Sequence, residues 1–280
     1  MSQSHTYGLL GWPVSHSLSA AMHNAAFKAL KLDAHYKLFG IPPEEADHFL
    51  STLDAQGLCG LNVTIPYKEK ALSYVTLDRE SAYLKTVGAV NTLVKRDHLW
   101  KGFNTDIPGF LMHLKEQCDP AHKKCAIIGA GGASRAVAYA LALSQAKEIV
   151  IFDVDAAKPA AIIAMVQSLF PGFPVRRAES LDAMDIRDKD LLINATPVGM
   201  KATDPLLVKP EWLNPWLFVY DLIYNPRQTA LLQSAASRGC RCSNGLGMIL
   251  YQGMLAFEIW TSKKAPKEIM QQALEHMGEH

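Results

Sequence analysis

The chain has 280 residues, room for two domains that each bury a core. Charged residues make up 20% and the formal net charge is +1, with no basic block or basic-aromatic stripe, so nucleic acid is not an expected partner. No apolar run reaches membrane-spanning length and Met1-Ser2-Gln3-Ser4-His5 does not read as a signal peptide, so a cytoplasmic protein without a membrane partner is expected. The five cysteines (Cys59, Cys118, Cys125, Cys240 and Cys242) are odd in number and scattered, and neither CxxC nor HExxH occurs. That argues against a disulfide frame and against a metal site.

Short apolar runs alternate with helical stretches from end to end, the pattern of α/β domains with mostly parallel sheets. Tyr7-Gly8-Leu9-Leu10 reads as the first strand. The spacing of Met22, Ala26, Ala29 and Leu30 predicts a helix over 19–31 with those residues on one face. A strand over 35–39 follows, and then a helix opened by Pro42-Pro43-Glu44-Glu45, with proline and acids where a helix start favours them. Gly60-Leu61-Asn62-Val63-Thr64 is the next strand, and 89–94 and 99–102 read as paired strands around the turn Arg96-Asp97-His98. A helix over 107–116 leads to the strand Cys125-Ala126-Ile127-Ile128, and later strands are expected at 148–152, 191–194 and 217–220. The last apolar helix, 247–260, has no strand after it and is expected to cross back and pack on the first domain. The fold expected is an N-terminal open α/β substrate domain plus a Rossmann-type doubly wound dinucleotide-binding domain. The first spans 1–105 and is completed by C-terminal helices in 245–280; the second spans 106–244.

The turn Gly129-Ala130-Gly131-Gly132-Ala133-Ser134 stands between an apolar strand and a helical pattern, and a second apolar strand ends at Asp153. Strand, glycine turn, helix, strand and acid are the parts of a dinucleotide-binding half. Missing side chains let the backbone approach a pyrophosphate, and the helix start points free N–H groups at it. Ser134 replaces the usual Gly or Ala and is expected still to sit close to the sheet.

Four polar clusters fall where loops should leave strand ends, the usual place for ligands in open α/β sheets. Ser15-His16-Ser17-Leu18-Ser19 offers more hydroxyls than one helix cap needs, so the surplus forms a carboxylate cradle. In Asn62-Val63-Thr64-Ile65-Pro66-Tyr67-Lys68, proline ends the strand and Tyr67-Lys68-Glu69 is expected to open a helix, a start whose dipole disfavours a lysine unless something acidic or polar faces it. In Asn104-Thr105-Asp106 the structural alternative is a helix cap by Thr105 or Asp106. Gln252 interrupts an apolar helix after Gly245-Leu246-Gly247-Met248, where an amide needs either a backbone partner or a ligand.

Together these segments, with Met22-His23-Asn24, Gly88-Ala89-Val90-Asn91-Thr92 and Asn194-Ala195-Thr196-Pro197, resemble the shikimate dehydrogenase family, which includes the quinate/shikimate dehydrogenases. The resemblance covers nearly the whole chain; Ala20, where many members have proline, is a small departure. It implies that Ser17, Ser19 and Tyr224 hold a substrate carboxylate, and that Thr64, Asn91, Asp106 and Gln252 hold ring hydroxyls. It also implies Lys68 and Asp106 as the catalytic pair. Gly129 to Ser134, Asp153, Thr196 and Gly245 are the positions expected on the cofactor side.

The reaction so implied is reversible NAD(P)-dependent reduction of 3-dehydroshikimate to shikimate in aromatic amino-acid (chorismate) biosynthesis. The partner is a small molecule, shikimate and possibly quinate, and a monomer or homodimer is expected. NADP-using members carry Asn-Arg-Thr and a further Arg at the end of the second nucleotide strand. This chain has Asp153-Val154-Asp155 with Lys158, so NAD is expected over NADP. One alternative is an NAD-dependent quinate/shikimate dehydrogenase of quinate catabolism. Another, the similarly built methylenetetrahydrofolate dehydrogenase, lacks a reason for the Ser-x-Ser cradle. A non-catalytic dinucleotide-binding regulator would have a damaged Lys68–Asp106 pair or substrate cradle, and both are intact in the sequence.

Overall fold

A computed structural model of the protein describes residues 4–276. They form two compact units, one of residues up to Gly109 and from Ile249 onward, the other of Phe110–Met248. Both crossings fall inside helices, a few residues beyond the boundaries expected from sequence.

The chain opens with strand β1 (His5–Gly11), helix α1 (Ser19–Ala29), β2 (Ala34–Gly40), α2 (Ala46–Ser51) and β3 (Leu58–Val63). A single turn, α3 (Leu84–Val87), precedes the strands β4 (Thr92–Arg96) and β5 (Leu99–Phe103). The sheet order is β2-β1-β3-β4-β5. The first three strands run parallel, and β3, β4 and β5 pair antiparallel. The hairpin sits where the polar turn predicts it, with Asp97 and His98 at positive φ.

Two local expectations are corrected. The buried face of α1 is Met22, His23, Ala26 and Phe27, whereas Ala29 and Leu30 are exposed. The period is helical as expected, but its phase is set by Phe27 packing on Tyr7, with ring centroids 5.3 Å apart. No helix begins at Tyr67. Lys68 lies in a turn, and only a short 3₁₀ segment, Lys70–Tyr74, follows. Buried Tyr67 anchors this turn, its hydroxyl donating to Ile41 O at 2.5 Å, so the lysine is displayed by a loop and not by a helix start.

Helix α4 (Asp106–Gln117) carries the chain into the second unit. There follow β6 (Lys124–Ile128), α5 (Gly132–Leu143), β7 (Glu148–Phe152), α6 (Ala157–Leu169) and β8 (Val175–Arg177). Next come β9 (Leu191–Asn194), β10 (Phe218–Asp221), α7 (Ala230–Ser237) and β11 (Arg241–Ser243). All six strands are parallel, in the order β11-β10-β9-β6-β7-β8. Strands covered on both faces read as continuous apolar runs, and Ile127, Ile151, Ile193 and Val219 are each 0% exposed. The strand order reverses between β6 and β9, the place where doubly wound sheets bind ligands.

The chain returns with α8 (Leu246–Thr261) and ends its described part with α9 (Lys267–His276). Within the first unit, Trp260 of α8 stacks on Tyr7 at 5.1 Å and donates from Nε1 to Leu93 O at 2.9 Å, while Phe257 meets Phe27. No described helix is long and apolar enough to cross a membrane.

Candidate active site

In the first unit, three loops bring titratable and amide groups together. Lys68 comes from the turn after β3, and the Val90 N–H donates to its carbonyl at 3.0 Å. Asp106 opens α4. The Lys68 Nζ lies 2.6 Å from Asp106 Oδ2, with the side chains only 15% and 8% exposed. A pair so shielded adds little stability over apolar side chains of similar volume, because desolvating the charges offsets their attraction. Its chemistry is therefore the better reason for its presence.

Neither Thr105 nor Asp106 caps α4. Asn104 does: its Oδ1 accepts from the N–H of Asp106 at 3.1 Å and of Ile107 at 3.2 Å, and its Nδ2 donates to Ala89 O. With the orphan donors of the helix start met by Asn104, the Asp106 carboxylate is left for Lys68. Asn91 is 3% exposed and ties the same loops. Its Oδ1 accepts from the Thr105 N–H at 2.7 Å and its Nδ2 donates to Thr105 Oγ1 at 3.1 Å, which leaves one amide hydrogen uncommitted by these bonds.

The serine loop also departs from a simple cap. The residue before α1 is Leu18, which makes no side-chain cap, and Ser17 Oγ accepts from the Ser19 N–H at 3.3 Å. Both serines are partly exposed at this helix start. Thr64, partly exposed, follows β3 and lies over Gly11, where a Cβ would come 2.3 Å from Thr64 Cγ2. Gln252 is partly buried on α8, its Nε2 donating to Ile249 O at 3.0 Å. A Cβ at Gly109 would come within 2.7 Å of Gln252 N, so the glycine lets α4 and α8 approach closely here.

In the second unit the glycine turn links β6 to α5 at the reversal of strand order. Gly129 has φ +100°, and a Cβ there would meet Ala195 O at 2.8 Å, so no other residue fits. Gly131 and Gly132 face open space at the start of a 12-residue helix, which fits an approaching pyrophosphate. Ser134 is fully buried and donates from Oγ to Gly129 O at 2.8 Å, so the hydroxyl secures the turn that an Ala would only allow. Ala130 and Ala133 complete the turn.

Thr196 follows β9, its N–H and hydroxyl both donating to Asn194 Oδ1. Asn194 in turn donates to Asp221 Oδ1, and Thr229 donates to Asp221 Oδ2. Burial raises the Asp221 carboxyl above its ordinary range. Gly245 donates its N–H to Ile223 O and lies against Leu222 O. Tyr224 is partly buried in the loop after β10, and burial raises its phenol.

Family models match the chain over residues 9–93 (shikimate dehydrogenase substrate binding domain) and 245–275 (shikimate 5′-dehydrogenase C-terminal domain). A Methanopyrus kandleri relative named shikimate dehydrogenase (NADP(+)) is 44% identical over 99% of this chain and 97% of its own. One of the same name from Moorella thermoacetica is 41% identical over 96% and 92%. A crystal structure of a shikimate dehydrogenase in complex with NADP+ is 36% identical, covers 99% of this chain and 96% of its own, and has a TM-score of 0.89.

These findings overturn the expected preference for NAD, because the two relatives carry NADP(+) in their names and the solved structure holds NADP+. The loop after β7 explains why residue spacing misleads. Asp153 is occupied in closing the loop: its Oδ2 accepts from the Ala130 N–H at 2.7 Å and its Oδ1 from the Asp155 N–H at 2.9 Å. Val154, 94% exposed, supplies no cation but blocks nothing. Lys158 stands on the loop's own helix, and Arg177 reaches it from β8 and donates from Nη1 to Ala156 O at 3.1 Å. Arg177 follows no motif in the sequence, since the three-residue strand that brings it here has no apolar run. By near full-length identity and by fold, the chain belongs to the shikimate dehydrogenase family.

Proposed function

We propose that the protein is a cytoplasmic enzyme catalysing the reversible, NADP-dependent reduction of 3-dehydroshikimate to shikimate in aromatic amino-acid biosynthesis. The observation that carries this reading is the shielded Lys68–Asp106 pair, with Nζ and Oδ2 2.6 Å apart, among hydroxyl and amide side chains suited to a polyol. The bound nicotinamide supplies the hydride in one direction and accepts it in the other.

As a ketone is reduced, negative charge builds on its oxygen. Lys68 Nζ meets that oxygen as a charged hydrogen-bond donor in a site partly screened from water. Asp106 aims the ammonium and accepts from a ring hydroxyl. Thr64, Asn91 and Gln252 take the remaining hydroxyls, and Ser17 and Ser19 the carboxylate. Gly129 to Ser134 cradle the pyrophosphate, with Thr196 and Gly245 beside the rest of the dinucleotide. Lys158 and Arg177 supply positive charge for a 2′-phosphate; the Arg177 ion pair with Glu179 is exposed and gives way at little cost.

The test is absorbance at 340 nm with shikimate or quinate and NADP+ or NAD+. The reading expects the highest efficiency with shikimate and NADP+. No turnover of shikimate, or turnover of quinate alone, would overturn it.

A further inference from the structure

Asp221, at the end of β10, lies within the second unit and is 0% exposed. Neutral donors face its carboxylate. Asn194 Nδ2 and the Ile223 N–H reach Oδ1 at 2.9 and 3.0 Å, and the Thr229 hydroxyl reaches Oδ2 at 2.6 Å. Asn194, also 0% exposed, donates a second time from Nδ2 to Val198 O at 3.1 Å. Its Oδ1 accepts from the Thr196 N–H at 2.9 Å and from the Thr196 hydroxyl at 2.7 Å. Both hydrogens and both lone pairs of that amide are thereby used, so Asn194 has nothing left for a ligand. The Thr196 hydroxyl gives its one proton to Asn194 and accepts from the Val198 N–H at 3.1 Å, which leaves it one lone pair. Thr196 is partly exposed and its methyl lies over the glycine turn: a Cβ at Gly129 would come 2.8 Å from Thr196 Cγ2.

We infer that Asp221 and Asn194 are positioning residues that fix the Thr196 hydroxyl as a hydrogen-bond acceptor, and that Thr196 reads an O–H or N–H donor on the nicotinamide riboside half of the dinucleotide. This rests on the proposed NADP site. There, Lys158 and Arg177 place the adenosine 2′-phosphate beside β7 and β8, and the glycine turn after β6 takes the pyrophosphate. Strand β9 lies on the other side of β6 from β7, so the remaining half of the cofactor extends towards the loop that carries Thr196. A hydroxyl whose proton is held by Asn194 offers a phosphate only a lone pair, which repels it. Its fitting partner is a ribose hydroxyl or the carboxamide NH2. Folding alone does not call for the acid, since a carboxylate buried among neutral groups costs stability that apolar side chains would not. Thr229 caps α7 by accepting from the Leu232 N–H at 3.3 Å, and a cap needs no acid behind it. What the acid adds is direction. It takes an Nδ2 hydrogen of Asn194, turns the amide oxygen to Thr196 and so sets where the threonine proton points.

The test is calorimetric titration of NADP+, and of adenosine 2′,5′-bisphosphate as the adenosine half alone, into the wild type and variants. Thr196→Val keeps the side-chain shape and removes the lone pair. Loss of one neutral hydrogen bond predicts an NADP+ Kd raised roughly fivefold, with the bisphosphate Kd and the shikimate KM unchanged. Asp221→Leu is expected to raise the NADP+ Kd by a similar factor, again without effect on the bisphosphate, and to add nothing in the Thr196→Val background. Should Asp221→Leu fail to fold, Asn194→Ala takes its place in the cycle. The 3-acetylpyridine analogue of NADP+, which lacks the NH2, tells the two donors apart: a loss in Thr196→Val that persists with it assigns the ribose hydroxyl, and a loss that vanishes assigns the carboxamide. Equal losses for NADP+ and the bisphosphate in Thr196→Val, no loss for either, or multiplying losses in the double variant would overturn the inference and leave the proposed function standing. A wild type without shikimate turnover would instead overturn the proposed function.

Discussion

Replacing His23 with phenylalanine isolates one acid-sensitive contribution to stability. His23 is 0% exposed, neither ring nitrogen has a hydrogen-bond partner, and burial pushes its pKa down from 6.5 to about 3. The folded chain keeps the ring neutral, while the unfolded chain takes up a proton below pH 6.5. The contribution is therefore complete above that pH and is lost as the pH falls towards 3, at about 1.4 kcal/mol per pH unit. Between pH 7 and pH 5 the loss is about 2 kcal/mol. Phenylalanine preserves a flat apolar ring against Tyr36 and has no proton to take up. Equilibrium urea unfolding of wild type and His23→Phe at the two pH values measures the effect. The free-energy difference between the proteins is expected to move by about 2 kcal/mol in the variant's favour on acidification. Equal pH dependences would mean that His23 changes its protonation no differently in the fold than in the unfolded chain.

Three further outcomes are expected. Asn104→Ala removes the cap of α4, which costs roughly 1 kcal/mol of stability by urea titration. It also lowers kcat, since the N–H groups it leaves unmet lie beside the Asp106 carboxylate. Gly129→Ala sets a Cβ 2.8 Å from Ala195 O in a backbone at φ +100°, so calorimetry should detect no NADP+ binding to a protein that still binds shikimate. Arg177→Ala should weaken NADP+ binding roughly tenfold, the low end for a lost charge-assisted contact, and leave NAD+ binding unchanged. Equal losses for the two nucleotides would remove Arg177 from 2′-phosphate recognition.

Much of the fold is written in local patterns. Unbroken apolar runs such as Cys125 to Ile128 read as buried parallel strands because helices on both faces exclude water from each side chain. The glycine turn is legible for a similar reason, since Gly129 is compelled by backbone geometry that the residue type itself announces. What escaped reading depends on distant partners. His23 and Phe27 belong to the buried face of α1 because Tyr7, Tyr36 and Trp260 wait beneath them, and a histidine gives no apolar signal of that. The cap of α4 went to Asn104 because Thr105 is drawn to Asn91, 14 positions earlier. Asp153 looked like a free ribose acceptor, but its carboxylate is held by backbone N–H groups on both sides. Arg177 arrives at the same loop on a strand of only three residues.

Lys68, held by Asp106, is proposed to supply the charge or proton that the reacting oxygen needs. Its most direct test is the kcat of Lys68→Ala for shikimate oxidation with saturating NADP+, on protein shown by calorimetry to bind NADP+ as the wild type does. General acid–base help of roughly a hundred- to ten-thousandfold should be lost. A kcat within a few-fold of the wild-type value would remove Lys68 from the chemical step.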